Sequence, residues 1–239
     1  MALYVIIVIV VLIGMYYIVP YTLRNFLRAR FIARIKRSNC ICLTFDDGPN
    51  PESTPELLSL LDELGVHATF FLIGKNIEKH PDLFREIVKH GHEVGDHSYR
   101  HIHAWACCPF LGVVDLFRGH QTLKQSLGTD GNFWLRPPYG KLNIMTLLYI
   151  WLCRRKLAFW NIDPRDYIPQ PAVQLYTKVI KNVSGGSVIL LHEKSMLTEK
   201  TLFDNLAAIK IIIQVLQDKG YTISKISDAI HVNNSIPKL

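Results

Sequence analysis

Two short motifs carry residue types that bind divalent metal ions. Asp46 and Asp47 follow the apolar run 40–45 and precede a Gly-Pro pair that turns the chain. Because neighbouring side chains of a strand point to opposite sides, a turn at this place lets both carboxylates serve one site. Residues 97–101 read His-Ser-Tyr-Arg-His, and on a helical turn this spacing brings both imidazoles to one face.

The combination of these motifs predicts a site of two histidines and one aspartate. Such a set leaves coordination positions open for water and substrate, as catalytic zinc sites do. Each motif alone also fits a surface turn or a pair of solvated histidines. In the same way, Arg136 alone fits a surface arginine before a Pro-Pro loop, and His192 alone fits a histidine at the end of a strand. The prediction therefore depends on where the fold brings these residues.

The elements that position these residues follow a β/α pattern. From residue 39 onward, β-branched or aromatic runs alternate with helical patterns, which is typical of parallel β/α architecture. The runs predict strands at 40–45, 67–73, 92–96, 133–136, 157–162, 187–192 and 221–223, and the helical patterns predict helices at 54–64, 111–127, 172–183 and 201–218. The polar candidates end predicted strands, where β/α barrels carry their active sites. They are Asp46, Asp47, Asp96, His97, Arg136, Asp163 and His192.

Five motifs, in this order, resemble those of the polysaccharide deacetylase family, the NodB-homology domain of carbohydrate esterase family 4. They are Thr-Phe-Asp-Asp-Gly-Pro at 44–49, His-Ser-Tyr-Arg-His at 97–101, Arg-Pro-Pro-Tyr-Gly at 136–140, Asp-Pro-Arg-Asp-Tyr at 163–167 and Leu-Leu-His at 190–192. The resemblance extends over about residues 39–230. It implies an α/β fold, a deformed (β/α)7-type barrel of the NodB-homology kind.

The family resemblance implies a metal-dependent hydrolase that removes N-acetyl groups from amino sugars. Asp47, His97 and His101 would hold one divalent ion, and Asp46 would be the general base. Zinc is the expected metal, although two histidines and one aspartate also accept cobalt or manganese. The implied substrate is an N-acetylated polysaccharide or a lipid-linked amino sugar.

The resemblance also implies roles for residues of the last three motifs. His192 would be the general acid, Arg136 would orient the base, and the backbone N–H of Tyr139 would help to hold the oxyanion. Leu190 would line the apolar pocket for the acetyl methyl group. Asp166 would pair with the acid histidine, which favours imidazolium and fixes the ring tautomer.

The fourth motif departs from the family pattern. The family usually ends it with Trp, and this chain has Tyr167. The departure leaves Asp163 as an alternative to Asp166 and points to an altered acetyl or sugar pocket.

The N-terminal region predicts a membrane anchor. Residues 2–19 carry no charge, Pro20 follows them, and a helix needs about 20 apolar residues to cross a bilayer. Tyr16 and Tyr17 suit the aromatic belt at a membrane surface. A buried helix or a signal peptide is the alternative. We divide the chain into an anchor at 1–20, a basic juxtamembrane linker at 21–38, a catalytic domain at 39–232 and a tail at 233–239.

The net positive charge of the chain, +7 at neutral pH, is concentrated beside the anchor. Six of the 27 basic residues are Arg24, Arg28, Arg30, Arg34, Lys36 and Arg37, and the first acidic residue is Asp46. The rest of the chain is close to neutral, so it does not suggest the basic surface that a nucleic acid requires. Positive residues beside a span are retained in the cytoplasm, which favours a cytoplasmic catalytic domain. Most members of the family work outside the cytoplasm, so both sides stay open at this point.

Two apolar stretches follow the second and third motifs, at 102–110 and 142–151. They fit core or helix faces. They also fit an apolar rim beside the bilayer, which would suit an enzyme that acts on a lipid-linked sugar.

Two other functions are compatible with the sequence. The same chemistry fits a formamide or a cyclic imide substrate, as in related amidohydrolytic members of the superfamily. A barrel without chemistry would serve as a glycan-binding protein. Such proteins usually lack a metal ligand or the base, and this chain has all of them.

Overall fold

In the computed structural model, which describes residues 1–106, 108–193 and 199–232, six parallel strands form the central sheet. The strands are β1 (Cys42–Asp46), β2 (Thr69–Leu72), β3 (Glu93–Asp96), β4 (Trp134–Leu135), β5 (Lys156–Leu157) and β6 (Val188–His192). They lie in the spatial order β5-β4-β3-β2-β1-β6. The predicted parallel β/α architecture is confirmed, and the carboxyl ends of all these strands meet at one edge of the sheet.

One segment closes the curled sheet into a deformed barrel. Residues 158–162 leave β5, and Ala158 N donates to Leu135 O of β4 at 2.9 Å. The end of the same segment pairs with β6, where Leu190 N donates to Ile162 O at 2.9 Å. The two edges of the sheet are therefore joined by a stretch that has one partner at each end.

Two of the predicted strands are wrong in extent. The stretch 157–162 is not one strand, because its first residue pairs with β4 and its last residue pairs with β6, each over a short length. The stretch 221–223 is reduced to a single bridge between Ile223 and Ile41. Both stretches are rich in β-branched or aromatic residues, and the partner available in the fold decides how much of each pairs.

Helices surround the barrel and most of them connect successive strands. They are α1 (Ala2–Lys36), α2 (Thr54–Glu63), α3 (Gly74–Lys79), α4 (Pro81–Lys89), α5 (Pro109–Leu127), α6 (Ile144–Leu152), α7 (Ala172–Ile180), α8 (Glu199–Asp218) and α9 (Ile226–Val232). Helices α2, α5, α7 and α8 were predicted, and α6 lies in the second apolar stretch. Helices α3, α4 and α9 have no counterpart in the predictions.

Strand β1 directs a polar side chain into the barrel. Leu43 and Phe45 face an apolar cluster shared with the surrounding helices. The alternate residues Cys42, Thr44 and Asp46 point to the other side of the strand and are also buried. The Asp46 side chain therefore lies inside the barrel, at the carboxyl end of the strand.

The N-terminal helix α1 has two different halves. It is long and apolar enough to cross a membrane, and no side chain described in its most apolar 18-residue window is buried. Its second half packs on the barrel, where Phe31 and Ile35 are buried in a cluster with Trp134 and Phe159. The segment 21–36 of the predicted linker is thus helical and in contact with the domain. The predicted tail, 233–239, lies outside the described residues.

Candidate active site

Three side chains that could hold a metal ion meet at the carboxyl ends of β1 and β3. Asp47 follows β1, and His97 and His101 follow β3. Their ligand atoms all lie within 4.8 Å of one another. Asp47 Oδ1 is 3.6 Å from His97 Nε2 and 3.4 Å from His101 Nε2. The structure therefore brings together the three residues predicted as metal ligands.

The surroundings of these atoms fit a divalent cation. Asp47 Oδ1 is buried without a hydrogen-bond partner among the described residues, which is costly unless a cation compensates it. His97 Nδ1 lies 2.7 Å from Arg136 O, so the ring donates there and leaves its Nε2 lone pair facing Asp47. Burial, assisted by His101, lowers the pKa of His97 to about 3, so the ring is neutral as a ligand must be. Zinc accepts this donor set.

The segment that carries the two histidines is a loop, so the predicted helical turn is wrong. Ser98 and His101 have positive φ angles of 65° and 60°, which a right-handed helix excludes. Two buried carboxylates hold this conformation by accepting hydrogen bonds from loop amides. Asp96 Oδ1 accepts from Ser98 N at 2.9 Å, and Asp115 Oδ1 accepts from Arg100 N at 3.1 Å. The imidazoles meet because the loop is anchored at both ends.

The anchoring role of Asp115 was missed in the sequence. This residue lies in α5, is only 2% exposed, and also accepts a hydrogen bond from Ile102 N at 3.4 Å. The one sequence signal is a single acidic residue in the otherwise apolar stretch 110–117, and that signal does not identify a partner.

Asp96 was noted in the sequence only as the end of a strand. Burial raises the pKa of Asp96 to about 6, and its ion pair with Arg155 at 2.9 Å opposes this rise.

Asp46 is held by a buried arginine. Arg136 Nη1 donates to Asp46 Oδ1 at 2.7 Å and to Thr44 Oγ1 at 2.7 Å. The Arg136 side chain is completely buried and lies 4.0 Å from the centroid of the Phe71 ring. Burial lowers the pKa of Arg136, and the charge of Asp46 opposes this effect. The second oxygen, Asp46 Oδ2, lies 3.6 Å from His97 Nε2, so this carboxylate borders the candidate ligand atoms.

His192 lies on the other side of Asp46, because the two residues are paired in register on β6 and β1. Its Nδ1 is 2.8 Å from Asp166 Oδ1, and its backbone N donates to Asp166 Oδ2 at 2.6 Å. Burial disfavours the charged ring, but the hydrogen bond and charge of Asp166, with Asp46 and Asp47, raise the pKa of His192 to about 9. The ring is therefore an imidazolium at neutral pH. Its Nε2–H group is the one that Asp166 does not engage.

The alternative partner, Asp163, does not contact His192 in the described structure. It is exposed and accepts a hydrogen bond from Arg165 N at 2.9 Å. The geometry therefore distinguishes the two carboxylates of the fourth motif in favour of Asp166.

The remaining predicted residues, Tyr139 and Leu190, also border this region. Tyr139 has a positive φ of 54°, and its ring packs on His101 with centroids 4.5 Å apart. The backbone hydrogen bonds that close its turn are donated by Gly140 N and Lys141 N, so neither uses the Tyr139 amide. Leu190 is buried on β6, opposite Thr44 of β1.

Glu193 is a second buried carboxyl that the sequence analysis missed. Burial raises its pKa to about 8, so it is protonated at neutral pH. Thr54 Oγ1 donates to Glu193 Oε2, while Ser53 Oγ donates to its carbonyl at 2.6 Å. A side chain at Gly48 would collide with the Glu193 carboxyl group. Glu193 thereby holds the turn that carries Asp47.

Comparisons with known proteins place the chain among glycan deacetylases. The model of the polysaccharide deacetylase family matches residues 33–150. Over 192 residues the chain is 30% identical to the peptidoglycan-N-acetylglucosamine deacetylase of Bacillus cereus, covering 80% of this chain and 87% of the relative. It is 32% identical over 189 residues to a chitooligosaccharide deacetylase of Sinorhizobium fredii, covering 77% and 88%. The solved structure of the peptidoglycan deacetylase PdaC from Bacillus subtilis superposes with a TM-score of 0.70 at 28% identity, covering 82% and 92%.

The anchoring of the histidine loop leads to a prediction about metal affinity. Asp115→Asn keeps one acceptor oxygen but replaces the other by an amide that cannot accept from the loop. We expect the dissociation constant for zinc to rise about tenfold, the lower end of the effect of losing a supporting group. The measurement is competition with a chelating dye in the full-length protein in detergent.

The matched control is Asp82→Asn, because Asp82 lies on the surface of α4. It should leave zinc affinity unchanged. Unchanged affinity in Asp115→Asn as well would show that the loop does not need this anchor.

Proposed function

Because the chain belongs to the polysaccharide deacetylase family, we propose that it is a membrane-anchored, zinc-dependent hydrolase that removes N-acetyl groups from an amino sugar of a glycan. One observation carries the proposal. The donor set of Asp47, His97 and His101 is flanked by a carboxylate held by arginine and by a histidine held by a carboxylate. These are the parts that amide hydrolysis requires, a base for water and an acid for the leaving nitrogen.

Asp47, His97 and His101 would hold the zinc ion. When bound, the ion makes water more acidic and polarises the acetyl carbonyl. The buried, unpartnered Asp47 Oδ1 supports this assignment, as does the hydrogen bond that orients His97. Zinc is proposed over cobalt and manganese because two imidazoles and one carboxylate suit it well.

Asp46 is placed to act as the general base. Its Oδ1 is engaged by Arg136, which leaves Oδ2 beside the metal-binding atoms. This oxygen accepts a proton from water as the water oxygen adds to the acetyl carbon. Arg136 keeps the carboxylate oriented during the transfer and remains charged itself.

His192 is placed to act as the general acid. Asp166 holds the ring by Nδ1, so the proton on Nε2 is the one available to the substrate. Transfer of this proton to the amide nitrogen lets the sugar amine depart without a negative charge, and acetate is the second product. The Tyr139 amide would donate to the carbonyl oxygen as negative charge develops there, and Leu190 would contact the acetyl methyl group.

The first test of the proposed function is acetate release from N-acetylglucosamine oligomers by full-length protein loaded with zinc. Asp46→Asn should lower kcat/KM at least about 100-fold, the lower end of the contribution of general base catalysis. Zinc content should stay at one ion per chain, because Asp46 is not among the proposed ligands. Exposed Asp82→Asn is the control for the substitution type.

Other outcomes of this experiment discriminate between functions. A protein that binds zinc but releases no acetate from any N-acetylated sugar would favour a formamide or imide substrate. A protein that does not bind a divalent metal would contradict the proposal.

The ion pair of His192 predicts the pH dependence. Asp166 favours the imidazolium, so removal of its charge lowers the pKa of the acid. With Asp166→Asn we expect the alkaline limit of kcat/KM, which the raised pKa of His192 sets, to move to lower pH by about one unit or more, with a lower maximum. Asp163→Asn is the matched control and should reproduce the unaltered profile. An unchanged alkaline limit in Asp166→Asn would show that His192 is not the general acid.

The membrane anchor is proposed from α1, which is apolar enough over its first half to span a bilayer. The basic residues that follow, among them Arg24, Arg28 and Arg30, favour retention of the domain in the cytoplasm. We therefore expect a green fluorescent protein fused after Leu239 to fluoresce and an alkaline phosphatase fused there to be inactive in a bacterial host. The reverse pattern would put the domain on the outer side.

A further inference from the structure

The N-terminal helix leaves the barrel at the mouth of the candidate active site. A Cβ added at Gly140 would lie 2.8 Å from Arg24 Nη2, and Tyr17 contacts Trp105 with ring centroids 5.5 Å apart. Gly140 and Trp105 belong to loops that follow β4 and β3, at the carboxyl edge of the sheet. The end of the helix, at Lys36, lies against the segment before β6. Helix α1 thus runs opposite to the strands, and its first half projects beyond the mouth.

A short chain of aromatic rings joins this helix to a proposed metal ligand. Trp105 contacts His103 with centroids 6.4 Å apart, and His103 contacts Tyr139 at 4.8 Å. Tyr139 in turn packs on His101 at 4.5 Å. Only three rings therefore separate Tyr17 from His101.

The length of the apolar half of α1 determines the depth, relative to the bilayer, at which the mouth of the candidate active site lies. Residues 2–19 form a helix about 27 Å long at 1.5 Å per residue, close to the hydrocarbon thickness of about 30 Å. Tyr16 and Tyr17 then lie at the boundary with the headgroups, where aromatic belts occur. Because Tyr17 contacts Trp105, the mouth opens at the depth of the headgroups.

Exposed apolar side chains surround the mouth on the side of α1. We call Phe110, Leu111, Val114 and Ile144 the apolar rim. They stand on the first turns of α5 and α6, and Phe110 is 62% and Val114 54% exposed. These turns contact each other, since a Cβ at Gly112 would lie 3.2 Å from Thr146 Cγ2. Exposed apolar side chains on adjoining turns of this kind mark a surface that meets an apolar partner.

The charges beside the apolar rim also fit a membrane surface. The cleft between α1 and the mouth is lined by two cationic side chains, Arg24 and Lys141, and by no acidic one among the described residues. Lys141 Nζ also lies 4.3 Å from the centroid of Trp105. Cations and an aromatic ring at this depth suit anionic headgroups and the membrane interface.

We propose that the apolar rim lies on the membrane surface and that the substrate is an N-acetylated amino sugar carried by a membrane lipid. The proposal rests on the deacetylase function proposed above and names its substrate class. A sugar joined to a lipid stands at headgroup depth, level with Tyr139 and His101. A soluble polymer must instead enter between the domain and the bilayer.

The test uses full-length, zinc-loaded protein reconstituted in phospholipid vesicles. Two substrates carry the same N-acetylglucosaminyl phosphate, one esterified to a long isoprenoid alcohol in the same bilayer and one to methanol in solution. We expect kcat/KM for acetate release to be at least tenfold higher for the lipid-carried sugar than for the methyl ester. In detergent micelles without bilayer the ratio should fall. Equal rates for both substrates in vesicles would overturn the proposal, yet would leave the deacetylase function intact.

A pair of variants tests the rim itself. Val114→Asp introduces a charge in the rim, and Val88→Asp introduces the same charge on α4, at the opposite end of the barrel, where Val88 is 38% exposed. Val114→Asp should lower the rate on the lipid-carried sugar at least fivefold and leave the rate on the methyl ester unchanged. Val88→Asp should alter neither rate.

An unchanged rate on the lipid-carried sugar in Val114→Asp would show that the rim does not meet the membrane. An equal loss on both substrates would show a defect in folding, and the comparison of the two substrates by the unaltered protein then decides between support and refutation. If the unaltered protein releases acetate from N-acetylglucosamine oligomers but from neither sugar phosphate, the lipid-carried substrate is overturned and the deacetylase function stands. Failure on the oligomers as well would refute the deacetylase function itself.

Discussion

Arg136 joins the two sides of the candidate catalytic centre. Its guanidinium donates to the Asp46 carboxylate, and its backbone carbonyl accepts from the His97 ring. The side chain is completely buried, with the face of Phe71 in place of water. Removing one partner of such a pair leaves an uncompensated charge and costs about 3–5 kcal/mol. One residue therefore sets the distance between the proposed base and a proposed ligand.

Three buried carboxyl groups hold the loops around Asp46 and His97. Asp96 and Asp115 accept from amides of the loop between His97 and His101, and the Glu193 carboxyl packs on Gly48 in the turn after Asp46. Loops with positive φ angles lack the repeating hydrogen bonds of a helix, so their amides need acceptors from elsewhere. Asp96 and Asp115 supply these acceptors to the histidine loop, whereas the Glu193 carboxyl accepts from the Thr54 hydroxyl.

The parts of this centre that could be predicted from sequence lie in short motifs at the ends of strands. His97 and His101 with a neighbouring aspartate are predicted from residue type and spacing, and the family resemblance assigns Asp47 as the third ligand. The parallel architecture explains why they meet. The predicted helical turn is wrong, because the hydrogen bonds that shape the loop come from Asp115 in a later helix. Local spacing does not contain that information. The catalytic roles of these residues stay predictions.

Tertiary pairing also explains the errors in the fold. The stretch 157–162 has strand-like residues, but its hydrogen bonds are divided between β4 and β6. The basic segment after the apolar half of α1 has the composition of a linker, yet Phe31 and Ile35 find partners on the barrel. In both cases the local composition is typical of the predicted element, and contacts with distant strands determine the structure that forms.

The burial of Phe31 has a consequence for the order in which the chain folds. Its partners include Trp134, Phe159 and Ile226, which are made much later than the helix itself. Synthesis proceeds from the N-terminus, and contacts between distant parts of a chain form late because long loops must close first. Helix α1 is therefore the first element to be made and among the last to be covered. Helix α1 is thus already present when the last strands and helices of the barrel pack against its second half.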